Sequence, residues 1–287
     1  MTLTEVDYRA PGAGPEFDRS LRRTGFAVLR NPPIDPTLVP TIYHEWLAFL
    51  DSDAKLAYAM DSGRVDGYLA PPPPGPINRD RKELFHIYRD GRYPAEVSPA
   101  GMRYFRQAHE LARTLLGWLD LHGDPQVTRR FPMPTAGMID GSEATVLRVQ
   151  RYLPQPAGTP GGVPRALAHT DINLVTLLPT PSRPGLQILV DDEWTDVCAE
   201  PGSLVVQVGE MLEAVSGGAY PAALHQVMPE PSGAGDSRIS MPLFVHPADH
   251  VRILPDRTAG QFRHDRLAEL RAQNWVAVAG GSAATAA

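Results

Sequence analysis

The chain reads as a mainly β protein with flanking helices, its body a double-sheet jelly roll. Three observations predict this. Short β-like runs recur after Gly141 with turn residues between them, the pattern of a sandwich or barrel. Thirty prolines and 25 glycines punctuate 287 residues, many of them between elements, as in 70–76 and 154–156. Helical apolar spacing is confined to the regions before and after the β-like runs, which places helices around a β core.

Taken in order, residues 17–24 predict a short helix with a basic face, and 25–29 (Gly-Phe-Ala-Val-Leu) a strand. From 37 to 60 the spacing of Val39, Ile42, Trp46, Phe49 and Leu50 is helical. Residues 61–96 read as irregular and proline-rich, with an aromatic patch Phe85-His86-Ile87-Tyr88. Residues 98–121 predict a second long amphipathic helix, with Tyr104, Ala108, Leu111, Leu115 and Leu119 on one side. Strands are then expected at 145–153, 172–178, 186–190, 203–208, 224–228 and 239–246, followed by a helix at 262–274 and a disordered tail at 280–287. The expected division is an N-terminal helical and irregular region packing on the core (1–135), the jelly-roll core (140–250), and a C-terminal helix with its tail (251–287). No internal repeat is visible.

Composition narrows the function classes. A hydrophobic content of 43% and a charged content of 21% are ordinary for a soluble domain, and the length allows a sizeable core. The formal charge of −6 comes without a Lys/Arg cluster, which argues against nucleic acid as a partner. No apolar stretch is long enough to span a bilayer, and the start lacks a cationic stretch followed by an apolar run, so no secretory signal is expected. Cys198 stands alone, excluding an internal disulfide and fitting a reducing compartment. A cytoplasmic protein acting on a small molecule is the expectation; oligomeric state is not readable.

The chemistry concentrates in Ala168-His169-Thr170-Asp171. Residues i and i+2 of a strand share a side, so His169 and Asp171 can reach one metal, with His225 arriving from a distant run. Two imidazoles and one carboxylate leave positions open on an octahedral ion, the arrangement of non-haem Fe(II) enzymes that bind O2 and a co-substrate. A closed structural zinc site would want four protein ligands, usually with cysteine. Arg238 and Ser240 obey the same spacing, and a guanidinium with a hydroxyl makes a carboxylate clamp. Tyr152 could donate a third hydrogen bond, and Gln150 and Arg148 share its strand face by parity.

Six segments occur in order: 148–154 (Arg-Val-Gln-Arg-Tyr-Leu-Pro), 169–171, 184–187 (Pro-Gly-Leu-Gln), 201–209 (Pro-Gly-Ser-Leu-Val-Val-Gln-Val-Gly), 224–227 (Leu-His-Gln-Val) and 238–244 (Arg-Ile-Ser-Met-Pro-Leu-Phe). Together they resemble the isopenicillin N synthase-like branch of the Fe(II)/2-oxoglutarate dioxygenases. The match covers residues 140–247 well and the front half more loosely, through 25–28, Gly67-Tyr68 and 82–85. The resemblance implies a distorted jelly roll, that is, a double-stranded β-helix. It implies His169, Asp171 and His225 as iron ligands, and Arg238 and Ser240 binding the distal carboxylate of 2-oxoglutarate with help from Tyr152. Gln150 stands where the family has an asparagine. The implied reaction couples decarboxylation of 2-oxoglutarate by O2 to oxidation of a substrate C–H bond, with hydroxylation as the default ending. The carboxylate at Asp171 argues against halogenation.

For the substrate side, Arg148, His86, Tyr88 and Phe244 are candidates, each with a plainer reading: Arg148 as a solvent charge, His86 and Tyr88 as a packed loop, Phe244 as core. Glu210 reads as structural and Cys198 as a packed small hydrophobe. A free amino acid or natural-product intermediate is the expected substrate. The alternatives are an oxidase or cyclase of the same fold that works without 2-oxoglutarate, and a non-enzymatic binding protein of that fold.

Overall fold

Strand alternation sorts the side chains into two separate cores in this computed structural model, which describes residues 3–61, 63–72, 81–155, 162–229 and 237–282. The N-terminal part supplies β1 (Glu5–Asp7), α1 (Ala13–Thr24), β2 (Phe26–Arg30), α2 (Leu38–Asp51), a 3-10 helix (Asp53–Tyr58), β3 (Gly67–Leu69), β4 (Lys82–Tyr88) and α3 (Ala100–His122). Two single-turn helices, α4 (Pro125–Thr128) and α5 (Thr135–Met138), lead into β5 (Val146–Tyr152), β6 (Ala166–His169), β7 (Val175–Pro179), β8 (Leu186–Val190), β9 (Glu193–Asp196) and β10 (Leu204–Val208). Then come α6 (Glu210–Ser216), β11 (His225–Val227), β12 (Arg238–Ser240) and β13 (Leu243–Val245). A hairpin of β14 (Arg252–Leu254) and β15 (Arg257–Thr258) precedes α7 (Ala259–Ser282).

The main sheet runs β1-β2-β10-β7-β13-β5-β4-β3, with β12 also on β5, and a smaller sheet runs β6-β11-β8-β9. Because neighbouring residues of a strand point to opposite faces, each strand of the main sheet feeds both sides. Ala27 and Leu29 of β2, Leu204 and Val206 of β10, and Leu147 and Val149 of β5 join the large apolar core built with the helices. Phe26, Val28, Val205, Leu178 and Tyr152 point the other way and meet Ala166, Leu186, Ile188, Val190 and Val227 of the smaller sheet. The two sheets therefore sandwich a second, smaller core, and this is the double-stranded β-helix expected from the sequence. The inward side also receives Arg148, Gln150, Arg238, Ser240 and Phe244 by parity with their core-facing neighbours.

Four expectations need correction. Residues 82–88 are a strand, pairing along all of β5 from Lys82↔Tyr152 to Tyr88↔Val146; the proline-rich composition of 61–96 masked it. The helix expected over 37–60 stops at Asp51 and re-forms as the 3-10 turn. The last helix extends from Ala259 to Ser282, so Gly280, Gly281 and Ser282 are helical, while 283–287, like the prolines at 73, 74, 76 and 156, lie outside the described residues. Cys198 is exposed.

The joint between β4 and the helices is aromatic. Phe85 is fully buried, with ring centroids 5.1 Å from Trp46 and 5.9 Å from Phe49, both in edge contacts. On the same face Glu83 accepts from Tyr68 Oη (2.8 Å), Lys55 Nζ (3.0 Å) and Arg151 Nε (2.6 Å). Arg151 is thus committed to the outer face, away from Arg148. Phe85→Ala should lower the unfolding free energy by about 3–5 kcal/mol, the usual cost of emptying a buried phenylalanine site, measurable as a shift in urea midpoint.

Candidate metal centre

The smaller sheet brings the candidate chelating residues together. β6 and β11 are antiparallel neighbours with His225 directly opposite His169, and Asp171 follows β6 by two residues. One ligand atom from each of His169, Asp171 and His225 lies within 4.8 Å of the others, and the two imidazole centroids are 4.3 Å apart. Asp171 and His225 are buried, whereas His169 stays open to the cavity.

Each ring is oriented by a carbonyl. His169 Nδ1 lies 2.7 Å from Leu167 O, and His225 Nδ1 lies 2.9 Å from Ala223 O. A carbonyl only accepts, so Nδ1–H donates in both, leaving each Nε2 lone pair for a cation. Desolvation in the cavity wall, then the neighbouring His225, push the His169 pKa down to about 4, which keeps its ring neutral as a metal requires. Asp171 Oδ2 accepts from Thr176 Oγ1 at 2.5 Å, and Thr176 Oγ1 in turn accepts from Asn173 Nδ2 at 2.9 Å. The carboxylate is held in one orientation before any cation arrives.

The carboxylate-binding candidates assemble on β5 and β12, where Arg238 faces Tyr152 and Ser240 faces Gln150 in register. Gln150 Nε2 donates to Tyr152 Oη (3.2 Å) and Ser240 Oγ (3.1 Å). Arg238 is 2% exposed; its Nε donates to Arg183 O (3.0 Å) and Pro184 O (3.3 Å), and its guanidinium carbon sits 5.4 Å over the Tyr152 ring. Arg238 Nη2 and Gln150 Oε1 are buried and have no hydrogen-bond partner among the described residues. One cavity is lined by all seven of these residues and also by Arg148, Phe244 and Lys82.

The donor set fits a divalent cation with open positions: two imidazoles, one carboxylate and no cysteine. The buried guanidinium with an orphan N–H fits a carboxylate beside it.

Among the substrate-side candidates, Arg148 Nε donates to His86 Nε2 at 2.9 Å, and its guanidinium carbon lies 4.6 Å over the Phe244 ring. Burial, then the Arg148 charge, push His86 down to about 3, so it can accept from Arg148 while its Nδ1–H donates to Val65 O at 3.2 Å. Tyr88 stands edge-on to His86, centroids 6.2 Å apart. Sequence reasoning missed Thr176, Asn173 and Lys82. The signal for Lys82 was its place on an unrecognised strand. That for Thr176 was its parity with the inward-facing Leu178.

His246, behind the site and 8% exposed, is pushed down to about 3 by burial and then by Arg263 and Arg148, with Asp171 and Asp249 opposing. Its unfolded pKa lies near 6.5, so unfolding takes up a proton below that pH. The contribution of His246 to stability is complete above pH ~6.5 and falls by about 1.4 kcal/mol per pH unit as pH drops toward 3. In metal-free protein, His246→Gln should flatten the slope of urea midpoint against pH in that window.

Comparisons with known proteins agree with this geometry. A family model described as the 2OG-Fe(II) oxygenase superfamily matches residues 144–247. The chain is 38% identical to a Shewanella oneidensis protein of known crystal structure, provisionally described as an oxygenase, with a TM-score of 0.85 over 94% of this chain and 99% of that one. A Caulobacter crescentus structure, provisionally described as a 2OG-Fe(II) oxygenase family protein, is 25% identical with a TM-score of 0.78 over 94% and 99% of the two chains. The chain is also 30% identical to 1-aminocyclopropane-1-carboxylate oxidase 5 of Arabidopsis thaliana over 63% of its own length, an alignment that spans 59% of that relative. Among the described residues no helix is long and apolar enough to cross a membrane.

Proposed function

Because this chain belongs to the 2OG-Fe(II) oxygenase superfamily, we propose that it is an Fe(II)- and 2-oxoglutarate-dependent oxygenase that hydroxylates a C–H bond of a small molecule, such as a free amino acid or a natural-product intermediate. The observation that carries this reading is the pairing of two half-sites in one cavity. The His169–Asp171–His225 set with both Nε2 lone pairs free shares that cavity with a buried guanidinium whose Nη2 has no partner among the described residues.

In this reading His169, Asp171 and His225 hold the iron, and Arg238, Ser240, Tyr152 and Gln150 hold the distal carboxylate of 2-oxoglutarate. The bound iron and co-substrate supply activation of O2, driven by decarboxylation of 2-oxoglutarate to succinate and CO2. The protein's own residues orient the reactants and keep water out. Thr176 holds the Asp171 carboxylate in one orientation. Gln150, donating to both Tyr152 and Ser240, sets those hydroxyls while its Oε1 stays buried without a partner among the described residues, so it replaces the family's asparagine with a bridging amide. Arg148, held by neutral His86 and laid over Phe244, forms the wall where a substrate carbonyl or carboxylate would dock.

The test is substrate-stimulated succinate release by anaerobically purified protein given Fe(II), O2, 2-oxoglutarate and a panel of amino acids and dipeptides. Iron-dependent O2 uptake without 2-oxoglutarate would replace this reading with the co-substrate-independent oxidase. With a substrate in hand, Arg148→Met should raise its KM by about 10–100-fold, the worth of one charge-assisted contact of about 1.5–3 kcal/mol, and leave the KM for 2-oxoglutarate unchanged. Steady-state kinetics in each reactant separates the two.

A further inference from the structure

Thr170 stands between His169 and Asp171 in the chain, yet its hydroxyl engages neither. Its Oγ1 donates to Glu210 Oε1 at 2.7 Å. Glu210 is the first residue of α6, and its backbone N–H donates to Asp171 O at 2.8 Å. A single residue therefore grips the short ligand segment twice, at the side chain between the two ligands and at the backbone of one of them. The approach is close enough to demand glycine at the preceding position: a Cβ on Gly209 would sit 2.2 Å from Asn173 O.

Glu210 is itself held from α7. Arg266 donates from Nε to Oε2 at 2.6 Å and from Nη2 to Oε1 at 2.9 Å, a two-pronged pair that fixes the carboxylate plane. The Glu210 side chain is 14% exposed. A plain helix anchor is a sufficient role for Arg266, which also pairs with Glu269 on its own helix. It does not explain why Oε1 of Glu210 is shared with a hydroxyl placed between two metal ligands.

We propose that Glu210, oriented by Arg266, is a positioning residue for the metal centre, setting the spacing of His169 and Asp171 through Thr170. The inference rests on the metal-binding reading of those residues given above. Partners of this kind fix the direction of ligand atoms, and their loss typically weakens metal binding by 10–100-fold.

Co(II) titration of the full-length protein tests it, because Co(II) absorption in the visible reports ligand geometry directly. Thr170→Val, isosteric and lacking only the donor, should weaken Co(II) binding by about tenfold and change the absorption band. Thr170→Ser, which keeps the hydroxyl, should restore both. Glu210→Gln should behave like Thr170→Val, and Arg266→Met should show a smaller loss in the same direction. Thermal unfolding of the metal-free variants identifies any that fail to fold, and Thr170→Val decides the matter if Glu210→Gln does not. If wild-type protein binds Co(II) and Thr170→Val binds it with unchanged affinity and spectrum, Glu210 and Arg266 only anchor α7 and the proposal falls alone. If wild-type protein binds no Co(II), the metal-centre reading falls and this proposal with it.

Discussion

Asp171→Ala is expected to abolish substrate-stimulated succinate release and to cut Fe(II) affinity by more than about 100-fold, beyond the 10–100-fold typical of losing a residue that only supports a ligand. Asp171 is the one carboxylate of the cluster, and the other two members are imidazoles. Its removal takes away both a ligand atom and the charge that offsets the cation. The fold should tolerate the change, because what is lost locally is the hydrogen bond from Thr176, worth about 1.5–3 kcal/mol to a charged acceptor. The backbone carbonyl of residue 171 still accepts from Glu210 N. Asp171→Glu is the sharper control: it restores the charge but displaces the oxygen by a methylene, and should recover metal binding more than turnover. Anaerobic Fe(II) titration and the succinate assay read the two effects separately. Retention of full Fe(II) affinity in Asp171→Ala would mean that the ion sits elsewhere.

That such a test can be framed from the sequence reflects which physics is local. Arg238 and Ser240, or Gln150 and Tyr152, are two residues apart on strands, and period-two alternation alone puts each pair on one side. The structure then finds them opposite one another across β5 and β12. Phe244 keeps its inward parity even though Met241-Pro242 breaks the run into two strands, because the break does not shift the count. The same rule puts Arg151 on the face opposite Arg148, where it pairs with Glu83 and Asp51. What was illegible depends on partners far apart in the chain. β4 has the alternation of a strand, with Phe85 and Ile87 to one side and His86 and Tyr88 to the other, but it is embedded in a segment whose prolines read as loop. Only pairing with β5, 58 to 70 residues on, makes it a strand. Glu210 reads only as structural in the sequence because nothing in its neighbourhood announces Thr170, 40 residues upstream, or Arg266, 56 downstream.

Arg238→Gln should raise the KM for 2-oxoglutarate by about 100–1,000-fold, the 3–4 kcal/mol expected when one partner of a buried charge pair is truncated, with a much smaller change in turnover at saturating co-substrate. The guanidinium is 2% exposed and burial pulls its pKa below the usual arginine range, with Tyr152 and Tyr43 acting in the opposite sense. Its protein partners are two backbone carbonyls reached through Nε and the face of the Tyr152 ring; the buried Nη2 has no acceptor among the described residues, and the residue lines the cavity. A buried charge without a counter-charge destabilises the protein that carries it by several kcal/mol unless other groups compensate. Two opposite effects should therefore travel together. The free Arg238→Gln protein should be as stable as the parent or more so, because a costly charge has gone. It should also lose the upward shift in melting temperature that 2-oxoglutarate gives the parent, because ligand-induced stabilisation scales with affinity. Arg238→Lys should not rescue binding, since an ammonium cannot present the paired N–H groups that a carboxylate takes from a guanidinium. A variant that lost stability while binding 2-oxoglutarate as before would make Arg238 a structural residue of the β5–β12 ladder and would move the co-substrate's carboxylate to another cation lining the cavity, such as Lys82, 5.7 Å from the Tyr152 ring, or Arg148.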